Sequence, residues 1–362
     1  MMATDVRMSK KKRYRKWAMG TVLILCLTLG IFRHMHKRSL LELSVKAAVI
    51  QDVSDYSVHW LSDQRILFMR GSEREDLYIY DTRTRKETLL EQISREWHKT
   101  NSPNTEHSLV VSPDGTRVLW STEQHILTPF EAPTYGAWLD GSHFFQCDSG
   151  GDSWKQVCWA SDSRHWAAFV HTRHARPAVD MLLYDSDSAR NPEKYYLTTP
   201  RQSDLLMLMG GLNSQRLLSG DHLLVWEDTM FAGVIPTLEI LDIQKGKHAP
   251  EKTHLFPLLP NTAVMALAFS PQGDRVAWHQ VREELPEWVR ILQRWFPHMY
   301  PQGVKRESLW VSHIDGTERH EIGGQNLDSS EEARPLSNLQ WVPGSNRLGF
   351  RYGAACYTVS AE

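Results

Sequence analysis

The stretch Val111-Ser-Pro-Asp-Gly-Thr-Arg-Val-Leu-Trp120 returns almost unchanged as Phe269-Ser-Pro-Gln-Gly-Asp-Arg-Val-Ala-Trp278. A repeated hairpin string obliges the chain to build a repeated unit, because one such unit cannot bury its apolar face alone. Looser copies are Trp60-Leu-Ser-Asp-Gln-Arg-Ile-Leu-Phe68, Trp159-Ala-Ser-Asp-Ser-Arg-His-Trp-Ala-Ala-Phe169 and Trp341-Val-Pro-Gly-Ser-Asn-Arg-Leu-Gly-Phe350. A worn copy is read at Leu212-Asn-Ser-Gln-Arg-Leu-Leu218. Each sets an apolar residue before a Ser, Pro, Asp or Gly turn and period-2 apolar residues after it. Pro presets φ and Gly tolerates positive φ, so each turn joins two strands. The alternation then buries one face of the second strand.

A second motif follows in most units. It is a strand ending in Asp, then a polar turn: Asp76-Leu-Tyr-Ile-Tyr-Asp-Thr82, Met181-Leu-Leu-Tyr-Asp-Ser186, Leu238-Glu-Ile-Leu-Asp-Ile243 and Leu309-Trp-Val-Ser-His-Ile-Asp-Gly316. One hairpin, this strand and a last strand make four antiparallel strands per unit. The anchors Trp60, Val111, Trp159, Leu212, Phe269 and Trp341 stand roughly 50 to 70 residues apart. Four-stranded units at that period predict an all-β β-propeller, with six blades expected and seven the alternative. Trp138-Leu-Asp-Gly-Ser-His-Phe-Phe145 lies too close to Trp159 for a separate blade and is read as the outer part of the second blade or an incomplete repeat. After Trp341 there is room for three strands, so Ser44-Val-Lys-Ala-Ala-Val-Ile-Gln51 is expected to complete the last blade and close the ring.

The Ser112-Pro-Asp-Gly115 hairpin, its second copy and Asp76-Leu-Tyr-Ile-Tyr-Asp81 resemble the WD-like repeats of TolB-type propellers. The resemblance covers most of residues 45–362. It implies a fold rather than a chemistry: such propellers are mostly exported binding scaffolds, and related ones gate oligopeptidases or form the bodies of hydrolases and lyases.

Charge divides the chain. Residues 1–38 hold ten Lys and Arg against Asp5, a balance of +9, which leaves −11 of the total −2 for residues 39–362. An acidic body repels phosphate backbones, so nucleic acid is not an expected partner. The basic head encloses an apolar run, Trp17–Phe32. Arg33-His34-Met35-His36 follows it where a cleaved signal needs small residues, and Leu25 rather than a small residue precedes Cys26, against a lipoprotein signal. Flanking Lys and Arg lengthen the usable span by snorkelling. The expected layout is a basic cytoplasmic tail over 1–16, a transmembrane signal anchor over 17–32, a juxtamembrane linker over 33–43 and the propeller over 44–362. Seven Lys and Arg precede the run and three follow, which keeps the N-terminus cytoplasmic and exports the propeller. None of the eight Asn lies in an Asn-x-Ser/Thr sequon, which leans toward a bacterial inner membrane and periplasm.

No constellation of acid, base and nucleophile stands out, and no catalytic residue, metal ligand or cofactor site is expected. Cys147-Asp-Ser-Gly-Gly-Asp-Ser153 is similar to a serine-protease nucleophile loop, but Cys147 stands where Gly is needed and the remaining units leave no room for a catalytic domain. His171 and His174 fall on opposite faces of a strand and make a poor chelate. Cys147 and Cys158 are near enough in sequence to bridge in an exported domain, and buried free thiols are the equal alternative.

An insertion at about 283–300 interrupts the fifth unit. In it Leu285, Trp288, Val289, Leu292, Trp295 and Phe296 recur at helical spacing after Pro286. Such a helix packs on its own propeller or docks a partner or the membrane interface. Trp288, Val289, Leu292, Trp295 and Phe296 are the candidate partner-binding residues. The function expected from these features is a membrane-anchored interaction scaffold for protein partners. The alternatives are a propeller-type hydrolase or lyase, or a small-molecule or polysaccharide sensor working at the central tunnel.

Overall fold

The computed structural model describes residues 39–51, 58–71, 75–100, 106–123, 134–147, 155–172, 178–187, 193–196, 215–219, 222–227, 237–242, 251–256, 262–284, 304–327 and 336–362. Among them lie six four-stranded antiparallel sheets. Sheet I comprises Val58–Ser62, Arg65–Arg70, Asp76–Asp81 and Lys86–Leu89. Sheet II comprises Glu106–Val111, Arg117–Glu123, Thr134–Trp138 and Phe144–Cys147. Sheet III comprises Lys155–Trp159, His165–Thr172, Ala178–Asp185 and Glu193–Tyr196. Sheet IV comprises Gln215–Ser219, His222–Glu227, Thr237–Asp242 and Glu251–Phe256. Sheet V comprises Thr262–Phe269, Arg275–Glu284, Val304–His313 and His320–Asn326. Sheet VI comprises Ser337–Trp341, Arg347–Tyr352 and Ala355–Ser360, with Val45–Val49 from the start of the described chain as its outermost strand.

The cores lie between sheets rather than within them, which makes the arrangement a propeller. Leu61, Leu67 and Leu77 of sheet I pack on Leu109, Val118 and Trp120 of sheet II. Leu119 and Cys147 of sheet II meet Trp159, Trp166 and Tyr184 of sheet III. An isolated bridge joins Ala160 to Leu218, and Ser161 N–H donates to the Leu218 carbonyl, tying sheet III to sheet IV. Leu217 of sheet IV packs on Phe269 of sheet V. Ala268, Leu309 and Val311 of sheet V join Trp341, Leu348 and Phe350 of sheet VI. Finally Ala48, Ile50 and Cys356 of sheet VI meet Trp60, Ile66 and Phe68 of sheet I, and the circle is complete. The expected closure by the segment before the first repeat is therefore seen directly: Val45 pairs with Thr358 and Val49 with Ala355.

The repeated string performs the same work wherever it recurs. Ser112 N–H donates to the Arg117 carbonyl at 2.9 Å, and its hydroxyl accepts from Arg117 N–H at 2.9 Å. Ser270 repeats both bonds with Arg275, at 2.9 and 3.0 Å. Gly115 stands at φ 70°, and a Cβ there would lie 2.1 Å from the Leu61 carbonyl oxygen. The glycine thus serves the turn and the approach of sheet II to sheet I together. The anchor indoles reach back one sheet: Trp159 donates to the Val110 carbonyl and Trp341 to the Ala268 carbonyl, in each case one residue before the preceding anchor.

Two expectations need correction. The worn fourth repeat was registered one strand late: Gln215–Ser219 is the inner strand of sheet IV, not the strand after a turn, and Ser219 pairs with His222. Turn-like residues flank this segment on both sides, so only the pairing of Leu218 with Ala160 of sheet III settles the register. Trp138–Phe145, by contrast, is the outer part of the second blade, the first of its two expected readings: Thr134–Trp138 and Phe144–Cys147 are the outer hairpin of sheet II. Within the stretch expected as a linker, Leu40–Leu43 is a short helix that sends Leu40, 2% exposed, into the core between sheets V and VI.

A helix not foreseen, Glu91–Thr100, covers the gap between sheets I and II. It buries Ile93 and Trp97, one turn apart, and Ser94 Oγ accepts from Leu77 N–H at 2.9 Å. The apolar run 17–32 lies outside the described residues. Among those described, no helix is long and apolar enough to cross a membrane.

Candidate functional site

In each sheet the inner strand runs toward the repeat turn, so the sheets share two distinct ends. At one end sit the repeat turns and the tight connections between third and fourth strands. At the other sit the connections between second and third strands and the passages to the next sheet. The turn end is held by its own motif residues. Arg117 donates to the Ser163 carbonyl at 3.0 Å and to Ser186 Oγ at 2.5 Å, and its guanidinium lies 4.9 Å over the Trp138 ring. Arg275 donates to Asn346 Oδ1 at 2.9 Å and to the Ala361 carbonyl at 3.0 Å. Ser219 Oγ donates to the Gln272 carbonyl at 2.9 Å. The motif arginines thus cross to the next sheet, and their role is architectural.

The opposite end of sheet V holds the densest buried polar group among the described residues. His279 and Glu307 are 0% and 1% exposed, and Gln280, Arg306 and Ser308 are buried beside them. His279 Nε2 donates to Glu307 Oε2 at 3.2 Å. Gln325 Nε2 donates to Glu307 Oε1 at 2.5 Å and lies 3.2 Å from the Tyr352 hydroxyl. Ser39 Oγ donates to Gln325 Oε1 at 3.0 Å. One polar chain therefore runs from the first described residue to the middle of sheet V, on the face toward sheet VI. On the other face Arg306 is paired with Glu321, Trp278 Nε1 donates to Gln280 Oε1 at 3.0 Å, and Arg319 lies 5.0 and 5.2 Å over the Trp278 and Trp310 rings. Both faces are covered, so substrate has no access to His279 or Glu307. Their geometry supports positioning rather than chemistry. His279 Nδ1 has no hydrogen-bond partner in this enclosure.

Strand Val304–His313 explains why this group escaped sequence reading. Lys-Arg-Glu-Ser reads as a solvated run, yet only Lys305 is exposed. Arg306 and Glu307 point to opposite faces of the strand, and each face is covered by a neighbour. The available signal was the second copy of the repeat, which places this strand inside a blade.

Of the residues singled out in the sequence, Trp288, Val289, Leu292, Trp295 and Phe296 lie outside the described residues, as do Cys26, His174 and 148–153. The strands that carry the insertion are described: Glu284 pairs with Val304, two residues beyond the level of Thr262. The hairpin thus extends past its inner strand at the end opposite the turns, and residues 285–303 leave from its tip. Cys147, Cys158 and Cys356 are buried and form no disulfide with one another. Burial pushes the Cys356 thiol up to about 11, which makes it a poor nucleophile. Among the described residues no cluster of His, Cys, Asp and Glu forms a metal site.

His59, on the inner strand of sheet I, has its pKa drawn from 6.5 to about 4 by burial, and its Nε2 has no partner. The folded state therefore stays neutral where the unfolded chain takes up a proton. The stabilising contribution is complete above pH 6.5 and is lost as pH falls toward 4. Urea unfolding at pH 7 and pH 4.5 is expected to show a drop about 2 to 3 kcal/mol larger for the native chain than for His59→Gln. Equal drops would show that His59 titrates normally.

No protein-family profile matches the sequence, and no curated protein matches it. Solved structures do. TolB from Acinetobacter baumannii is similar at 16% identity and a TM-score of 0.42, over 75% of this chain and 54% of that one. This chain thus spans about half the length of that TolB chain. The β-propeller domain of the Trilobed protease from Pyrococcus furiosus is similar at 12% identity and a TM-score of 0.40, over 84% of each chain. An oligogalacturonate lyase in complex with manganese is similar at 9% identity and a TM-score of 0.45, over 84% of this chain and 75% of that one. Likenesses this distant carry no activity across, and the conclusion drawn from strand order and inter-sheet packing concerns architecture: the chain is an all-β β-propeller.

Proposed function

We propose that this chain is a single-pass membrane protein, cytoplasmic at its N-terminus, whose exported propeller is an interaction scaffold for protein partners. The observation that carries the reading is the inequality of the two ends. The turn end is tied sheet to sheet by Arg117, Arg275 and Ser219. The other end carries the extended Glu284/Val304 hairpin and with it the Trp-rich stretch 285–296. A rigid ring with a Trp-rich insertion joined to one end suits partner capture, since Trp anchors concentrate binding energy.

The test is in-cell crosslinking of the full-length protein, affinity capture and mass spectrometry, beside W288A/W295A. One or a few proteins captured in stoichiometric amounts and lost at least tenfold in the variant, with Tm unchanged, is the expected result. Capture that survives the double substitution would remove these residues from the interface. If nothing is enriched, the scaffold reading falls and a small-molecule or polysaccharide ligand takes its place.

A further inference from the structure

The first described residue fixes where the preceding chain must leave the propeller. Ser39 caps the short helix behind it: its hydroxyl accepts from Leu41 N–H at 3.2 Å, and Glu42 accepts from Ser39 N–H at 3.2 Å. The same hydroxyl donates to Gln325. Gln325 pairs with Glu307, Glu307 with Val281 and Val281 with Ala263. Ala263 is the second residue of the inner strand, so Ser39 sits at the end of sheet V away from the Ser270 turn, on its outer rim. Leu40 then plunges into the core, which makes this seat firm.

Length restricts what that seat allows. Seven residue steps separate Phe32, the end of the apolar run, from Ser39. They span about 25 Å at full extension and about 15 Å as a flexible coil. A domain of this size is about 50 Å across. The tether is shorter than the propeller is wide, so only the surface around Ser39 can meet the bilayer. The turn end exposes Asp114, Asp140, Asp162, Asp187 and Asp274 together with Arg65, Arg83, Arg85, Lys86 and Arg164, so its charge is mixed and the orientation is set by the tether.

We infer that the rim of sheets V and VI around Ser39, Lys305 and Gln325 faces an anionic phospholipid bilayer, and that the repeat turns face away from it. This rests on the anchor reading above. It assigns the propeller a fixed orientation: the hairpin tip at Glu284 and Val304 is held near the membrane, and the turn end is presented to the far side.

Energy transfer to the bilayer tests it on the full-length protein carrying Cys26→Ser. The other three cysteines are buried, so a donor dye attaches to an introduced thiol. Lys305→Cys and Gln272→Cys place it at two exposed positions of the same sheet, one at each end. The strand between those ends is about 25 Å long. In phosphatidylcholine–phosphatidylglycerol vesicles with acceptor-labelled lipid, transfer at position 305 is expected to be at least twice that at 272. In S39A/Q325A the ratio should fall toward one. Equal transfer, or stronger transfer at 272, in protein that floats with the vesicles overturns the orientation and leaves the anchor standing. An unchanged ratio in S39A/Q325A removes the role of the Ser39 seat. Protein that does not float with the vesicles overturns the anchor itself, and the orientation with it.

Discussion

A chain lacking residues 39–50 is expected to melt at least 10 °C below the intact propeller. The deleted segment supplies the outermost strand of sheet VI and three buried side chains: Leu40, Ala48 and Ile50, at 2%, 5% and 1% exposed. Losing a buried Leu or Ile costs about 2 to 5 kcal/mol each. At this chain length each kcal/mol shifts Tm by about 2 to 4 °C. The loss also uncovers Trp60, Phe68 and Cys356 between sheets VI and I, and it bares the edge of Ala355–Ser360 for pairing with other chains. Thermal melting with light scattering measures both effects. If the deleted chain is too insoluble to compare, Ile50→Ala is expected to lower Tm by about 5 °C or more with the strand still present. A full-strength transition in either variant would mean that the ring does not depend on this strand.

Glu307→Ala is expected to lower Tm by on the order of 10 °C, through loss of about 3 kcal/mol or more. The carboxylate is the acceptor for both His279 Nε2 and Gln325 Nε2. Removing it leaves two buried donors without partners and a cavity between sheets V and VI, and an unmet buried donor is costlier than a lost bond. Glu307→Gln separates these effects. Its carbonyl oxygen can still accept from His279, while its amide meets the amide of Gln325 donor to donor until Gln325 turns over. Ser39 Oγ, able to donate or accept, can follow that turn. The Gln variant should therefore lose less than half of what the Ala variant loses. Comparable losses would show that the negative charge, rather than the hydrogen-bond pattern, holds this region together.

What the order of residues determined by itself was whatever is decided within a few positions. Ser112 and Ser270 close their turns onto Arg117 and Arg275, five residues away, so the repeat could be read as a hairpin and the hairpins as a propeller. The Val45–Val49 strand was legible because a ring of four-stranded units had one strand missing at its end. The Glu91–Thr100 helix carried a weaker local signal, Ile93 and Trp97 one turn apart, which is too short to separate from a loop without the sheets beneath it. Tertiary structure alone decided the rest. Gln215–Ser219 became an inner strand because Leu218 is held by Ala160 and Ser161 of the neighbouring sheet, a pairing across more than fifty residues. Glu307 became buried because a second sheet and the Ser39–Leu43 segment close over it, although the charged Lys305 and Arg306 precede it. Period-2 alternation tells one face of a strand from the other, but it does not tell whether a neighbouring sheet covers both. That is settled only when the ring closes and each sheet acquires two neighbours.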